Sequence, residues 1–265
     1  MNLSVVILAA GKSSRFGGEP KLLSKVGPNN ESLFEITLQQ VSNHFNINHI
    51  YLVLGPHNEE QIRTAIDKMK INCLNHCNFT ITVQAEPRGT AHALNTLSNV
   101  IVQPFLLMNS DDLYGEETFE LLSKEITETS SFVIGYPIGK TLPSSAPANR
   151  AFIQHDKNNK VTKLQEKLNL RRSFYSPQEL DSIIVSVNLF YLQPHIMPYI
   201  RTMVGEKYME NEEEIMLPNI INDLITSGHL NLEFLSSPGQ WQGVTYKEDV
   251  KSVKQSLKAS YKAKV

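Results

Sequence analysis

The chain of 265 residues has two cysteines, one tryptophan and no surplus of positive charge, with 25 lysines and arginines against 27 aspartates and glutamates. Cys73 and Cys77 cannot build the disulfide framework of a small secreted scaffold, so a reducing compartment is expected. The run Cys73-Leu74-Asn75-His76-Cys77 falls short of the four ligands of a structural zinc site, and no second cluster complements it. A formal net charge of −2 excludes a nucleic-acid binder that relies on a broad basic field, while leaving room for a small basic pocket. No apolar run approaches the roughly 20 residues that cross a bilayer. Val5–Ala10 is apolar but follows no positive residue and precedes no export-type cleavage pattern. The histidines form no H-E-x-x-H pattern, and no G-x-S-x-G elbow is present. These absences predict a cytoplasmic protein with neither nucleic acid nor membrane as partner; an oligomer stays possible.

What is present is alternation. Ser4–Ala10, His49–Leu54, Phe79–Gln84 and Pro104–Met108 read as buried strands, separated by helical patterns over 33–45, 59–69 and 90–97, with another over 116–126. Such alternation predicts an α/β fold with a mostly parallel, doubly wound central sheet. The second half is less regular. Strands are expected over 130–137, 151–154, 161–164 and 181–192, with a turn at Asp156–Asn159 and a helix over 212–226 stopped by Gly228. These pieces predict a smaller β-rich lobe over the open end of the sheet. The division expected is a nucleotide-binding half at 1–137, a covering lobe at 138–246 and a final helix at 247–265. Val250, Val253, Leu257 and Tyr261 share one face of that helix.

The most informative stretch runs from Leu8 through Ala9, Ala10 and Gly11 to Arg15 and Lys21. A strand opens into residues without bulk, so backbone can approach a ligand closely and exposed amides can form a nest for phosphate oxygens. Arg15 and Lys21 add two cations, suited to the charge that grows on a departing pyrophosphate when a triphosphate is attacked at its α-phosphorus. In open α/β sheets such a ligand sits at the carboxyl end of the strand. A Walker A loop is excluded because Val6 stands where its first glycine belongs, and the dinucleotide fingerprint fails because Ser13 stands at its second glycine. Asn109-Ser110-Asp111-Asp112 follows the strand Pro104–Met108, and carboxylates at a strand end are suited to hold Mg²⁺.

The loop resembles the opening motif of the sugar-phosphate nucleotidyltransferases, L-A-A-G-x-G-[ST]-R followed by a lysine, with Ser13 in place of the second glycine. The resemblance implies a GT-A-like, Rossmann-like fold, with Leu8–Gly11 wrapping a triphosphate and Arg15 and Lys21 on its phosphates. Gln84-Ala85-Glu86-Pro87-Arg88-Gly89-Thr90-Ala91 resembles the family's Q-x-x-P-x-G-T-A segment, which implies that Gln84, Gly89 and Thr90 read a pyrimidine base. Asp111 would be the metal ligand, and Asp112 would orient water or a neighbour. Val161-Thr162-Lys163-Leu164-Gln165-Glu166-Lys167 resembles V-x-x-I-x-E-K, implying that Glu166 binds sugar hydroxyls and Lys167 holds the sugar phosphate, with Asn188 lining the same pocket.

Trp241-Gln242-Gly243-Val244-Thr245 resembles a late W-x-D-x-[GT] segment whose aspartate supplies a second metal carboxylate, and here Gly243 stands at that position. Either Asp249 reaches back to the metal or Asp111 holds it with phosphates and water. The reading predicts an Mg²⁺-dependent condensation of a nucleoside triphosphate with a sugar-1-phosphate. A glycosyltransferase using a nucleotide sugar, a non-catalytic sensor of such sugars, and a cytidylyltransferase acting on an alcohol phosphate are the competing readings.

Overall fold

A computed structural model describes residues 2–69, 77–210 and 214–263, with the side chains of Asn2, Arg15 and residues 260–263 outside that description. Cys73 therefore lies outside the described residues, whereas the Cys77 thiol donates to the Ile47 carbonyl.

Unbroken apolar character requires cover on both faces, and β1 (Asn2–Ala9) has it. It lies between β2 (Asn46–Leu54) and β4 (Phe105–Asn109), parallel to both. β3 (Asn78–Val83) continues the parallel run beside β2. On the other side, β9 (Ile184–Leu192) runs antiparallel between β4 and β6 (Phe132–Pro137), and β10 (Glu233–Ser236) closes the edge parallel to β6. The order is β3-β2-β1-β4-β9-β6-β10, a mostly parallel sheet with one reversed strand.

The two-residue period of β1 sends its side chains into two cores. Val5 and Ile7 join Phe34, Leu38 and Val41 of α1 (Leu33–Ser42). Val6 and Leu8 join the opposite face, where α3 (Thr90–Asn95), α6 (Met197–Met209) and α7 (Leu217–Thr226) lie. α2 (Glu59–Lys68) and α4 (Glu116–Glu125) share the face of α1 through Ile62, Phe119 and Leu122. Helices on both faces make the sheet doubly wound.

The stretch 138–246 does not stand apart from the sheet, since it supplies β9 and β10. The hairpin of β7 (Ala148–His155) and β8 (Val161–Leu170) branches from it, held where Ala151 and Phe152 pair with Ser186 and Val185 of β9. Its turn forms at the anticipated place, with Asn159 at φ 62° and the Asp156 carboxylate accepting from the Asn158 and Lys160 amides. Asp181 and Ser182, expected in a strand, belong to α5 (Pro177–Ser182), because Ser176 and Glu179 form a reciprocal capping box that starts a helix. The sequence pattern does not predict α6, because Pro198 and Gly205 interrupt it and only Met197, Ile200 and Val204 are buried. Gly228, at φ 77°, ends α7 with the paired bonds His229 N to Leu224 O and Gly228 N to Ile225 O.

A two-stranded ribbon of β5 (Asp112–Leu113) and β11 (Gln242–Gly243) ties the end of β4 to the segment before α8 (Lys247–Ala263). Val253 and Leu257 of α8 pack with Phe16, Leu33 and Val244; the Tyr261 side chain is outside the description. Among the described residues no helix is long and apolar enough to cross a membrane.

Candidate active site

The carboxyl ends of β1 and β4 converge on a cavity of about 560 Å³. Leu8, Ala9, Ala10 and Gly11 form one wall, and Lys21, Gln84, Gly89, Thr90, Asp111 and Asn188 reach the same space. A second cavity of equal volume lies between α1, the start of α4 and α8, but among its described lining residues none is a cation. The first cavity, by contrast, is lined by Lys12 and Lys21.

The loop after β1 is shaped for close approach. A Cβ on Gly11 would meet nothing within 4 Å, so the loop is open on that side. Ser13 holds φ 50° and ψ 29°, and its carbonyl accepts from the amides of Phe16 and Gly18. That left-handed conformation costs a non-glycine residue about 1–2 kcal/mol, which explains why the resembling motif has glycine there. Asn58, almost fully buried, locks the loop's base by donating to the Ala9 carbonyl at 2.8 Å and accepting from the Gly55 amide at 3.0 Å. Arg15 lies in the 3-10 turn Ser14–Phe16, its side chain outside the described residues. Lys21 places Nζ 2.8 Å from Asp111 Oδ2.

On the flank, Gln84 is buried at the end of β3 and its amide nitrogen contacts the Gly89 carbonyl and His92 Nδ1, both at 3.0 Å. Thr90 is the first residue of α3, behind a Gly89 cap, and its hydroxyl accepts from the Leu217 amide at 2.9 Å. Gln84 thus fixes the loop that carries Gly89.

The acidic end of β4 divides into two roles. The Asp111 carboxylate is partly exposed to the cleft. Asp112 is buried, accepts from Asn109 Nδ2 at 2.9 Å and pairs in register with Gly243. Burial pushes the Asp112 carboxyl up, and neighbouring Asp111 pushes it further. A Cβ on Gly243 would fall 2.7 Å from the Trp241 ring, so that ring occupies the space of the missing carboxylate. Asp249 Oδ2 accepts from the amides of Thr245 and Tyr246 at 2.8 and 2.7 Å, as an acid capping the start of α8 does. Among the described residues no group of three acidic, histidine or cysteine side chains could hold a metal ion. The donors fit a hard cation that rests on one carboxylate, Asp111, and otherwise on substrate phosphates.

A family model described as nucleotidyl transferase matches residues 4–260. The chain belongs to the nucleotidyl transferase family. It is 26% identical over 254 residues to a bifunctional protein GlmU of Methanococcus maripaludis strain C5, covering 94% of this chain and 53% of that protein. GlmU of M. maripaludis strain S2 is 24% identical with the same coverage. The chain spans about half the length of these curated relatives. Its fold is shared with the inositol-1-phosphate CTP transferase from T. maritima, at TM-score 0.70 and 11% identity over 96% of both chains. It is shared equally with a UDP-glucose pyrophosphorylase complexed with UDP-glucose, at TM-score 0.71 and 14% identity over 98% of this chain and 100% of that one.

On the far side of Asp111 lies a smaller cavity of about 160 Å³, lined by Glu166, Asn188, Asp112 and Trp241 among others. Asn188 turns toward it at φ 62°. Glu166 is half-buried on β8, and burial pushes its carboxyl up to about 7 against the opposing pull of Arg150. Lys167 is not brought there. Its ammonium sits over the Phe152 ring, 4.7 Å from the centroid. Arg150, which the sequence did not single out, lines the cavity instead. An arginine beside a Pro/Ser/Ala-rich loop carries no local signal; only the fold surrounds it with carboxylates.

Proposed function

We propose that this chain condenses a nucleoside triphosphate, preferably with a pyrimidine base, and a sugar-1-phosphate, yielding a nucleotide sugar and pyrophosphate. The observation that carries the reading is the meeting of the Gly11 loop, Lys21 and Asp111 in one cleft, with the Gln84–Gly89 flank on one side and the Glu166–Asn188 cavity on the other. The solved neighbours whose names include UDP-glucose and inositol-1-phosphate transfer agree with a nucleotide on one side and a phosphorylated polyol on the other.

In this reading an oxygen of the sugar phosphate attacks the α-phosphorus in line. The new O–P bond forms as the bond to the β-phosphate bridging oxygen breaks, and pyrophosphate leaves with that electron pair. No general base is required, because the phosphate nucleophile is already ionised. Amides at Leu8–Gly11 hold the triphosphate, while Lys21 and Arg15 stabilise charge on the departing pyrophosphate. Lys21 must release Asp111 to do so. Mg²⁺ held by Asp111 would supply charge neutralisation between the two anionic reactants. Gln84 and the Gly89 backbone hold the base edge, and Glu166 and Asn188 the sugar hydroxyls. We place the enzyme in the cytoplasm, where triphosphates are at hand.

The test is a pyrophosphate-release screen of four nucleoside triphosphates against a panel of sugar-1-phosphates, with and without Mg²⁺. Release should require both substrates and the metal. Transfer of sugar from a nucleotide sugar to an acceptor, without pyrophosphate release, would replace this reading with the glycosyltransferase one.

A further inference from the structure

The acceptor side of the cleft poses a charge problem. A sugar phosphate must approach the α-phosphorus near the Asp111, Asp112 and Glu166 carboxylates. Lys167, the cation that the motif offers for this task, is exposed, its ammonium over the Phe152 ring, and does not line this cavity. Among the described residues that line the cavity with Glu166 and Asn188, Arg150 is the cation. Arg150 also borders a wider neighbouring cavity with Lys21 and Asp111, so the residue lies between the two.

The setting of Arg150 is built rather than incidental. Its guanidinium lies over the Trp241 ring, 4.8 Å from the centroid. One terminal nitrogen donates to the Asn149 carbonyl at 2.7 Å and the other to the Thr141 carbonyl. These contacts hold the planar group in one orientation, yet its Nε–H is buried without a partner. A buried donor on a charged group is costly to leave unpaired, and among the described residues no ion pair satisfies it. Trp241 can take this stacked position because residue 243 is glycine, since a Cβ there would fall 2.7 Å from the Trp241 ring. The loss of the late carboxylate and the presence of a stacked arginine are thus one arrangement.

We infer that Arg150, clamped on Trp241, binds the phosphate of the acceptor substrate in this chain, in the role that the motif resemblance gives to Lys167. The guanidinium presents a fixed charge, oriented by the Trp241 ring and two backbone carbonyls, to phosphate oxygens, a setting for which arginine is preferred over lysine. Lys21 compensates Asp111, and the raised Glu166 carboxyl opposes an incoming anion less than a fully ionised one. This inference rests on the nucleotidyl-transfer reading only for the name of the acceptor; phosphate recognition itself does not depend on turnover.

Trp241 is the sole tryptophan of the chain, so its fluorescence reports directly on Arg150. The experiment titrates the wild-type chain and the variants Arg150→Met, Arg150→Lys and Lys167→Met with inorganic phosphate and with α-D-glucose-1-phosphate. Tryptophan emission is read for wild type and Lys167→Met, and calorimetry for all four. Wild type and Lys167→Met should bind alike and shift the emission. Arg150→Met should bind roughly 10- to 100-fold more weakly, as expected for a lost charge-assisted contact. Arg150→Lys should fall between, and it decides the matter if the Met variant does not fold. Where turnover is measured, the loss should appear in KM for the sugar phosphate and leave triphosphate affinity unchanged. Arg150 variants that bind both phosphates like the wild type would overturn the proposal, as would a loss confined to Lys167→Met. Absence of pyrophosphate release in the wild type, with phosphate binding still lost in Arg150→Met, would count against the function and leave the Arg150 assignment standing.

Discussion

Gly89→Ala probes how the nucleotide flank is held together. Gly89 has φ 89° and ψ 175°, a backbone region that only glycine enters readily and that costs another residue about 1–3 kcal/mol. Its new Cβ would fall 2.6 Å from the Ile215 carbonyl oxygen and 2.8 Å from the Ile215 nitrogen. Those are backbone atoms of the segment entering α7, so no side-chain rotation relieves the clash. Moving that segment endangers the bonds Ala91 N to Ile215 O and Ile215 N to Arg88 O, each worth about 1 kcal/mol. Together the destabilisation should reach about 3–5 kcal/mol. Gly228→Ala is the control: φ is 77° but nothing lies within 4 Å of its Cβ, so it should lose only about 1–2 kcal/mol. Urea unfolding of both variants measures the difference, and triphosphate affinity should fall in Gly89→Ala alone because the Gln84 contact to Gly89 shifts. Equal losses of stability in the two variants would refute the clash argument.

Lys21→Ala should lower the rate of pyrophosphate release roughly 10²–10³-fold, as removal of a charge-stabilising donor does, with the fold intact by circular dichroism. Asp111→Asn should weaken Mg²⁺ binding in the presence of a triphosphate, read by calorimetry, whereas Asp249→Asn should leave it unchanged and lose about 1 kcal/mol of stability from the start of α8; equal loss of Mg²⁺ affinity would make Asp249 a ligand. Glu166→Gln should flatten the pH dependence of stability. The Glu166 carboxyl is raised to about 7 in the fold from an ordinary 4.5, so its contribution is complete below 4.5 and disappears as pH rises through about 7. Melting temperatures at pH 5 and 8 should therefore differ less in the variant than in the wild type, and an unchanged difference would show that burial of Glu166 does not govern it.

Determined by the sequence alone were the features whose physics is local. An apolar run such as Val5–Leu8 demands cover on both faces, and Gly11 and Gly89 mark close approaches of backbone. Lys21 and Asp111 were legible because each follows a strand within a short motif, and parallel strands deliver their carboxyl ends to one edge. The same reasoning identified Gly243 as a missing carboxylate but could not see what fills its place. Glu166 lines the cavity while the Lys167 ammonium rests on Phe152, an outcome of how the hairpin packs that the motif does not show. The engagement of Asp249 with two backbone amides followed from the geometry at the start of α8. Arg150 became a site residue only when a hairpin and the segment before α8, far apart in the chain, met across Trp241. Long-range packing sets burial and charge environment, and no local pattern in the chain encodes them.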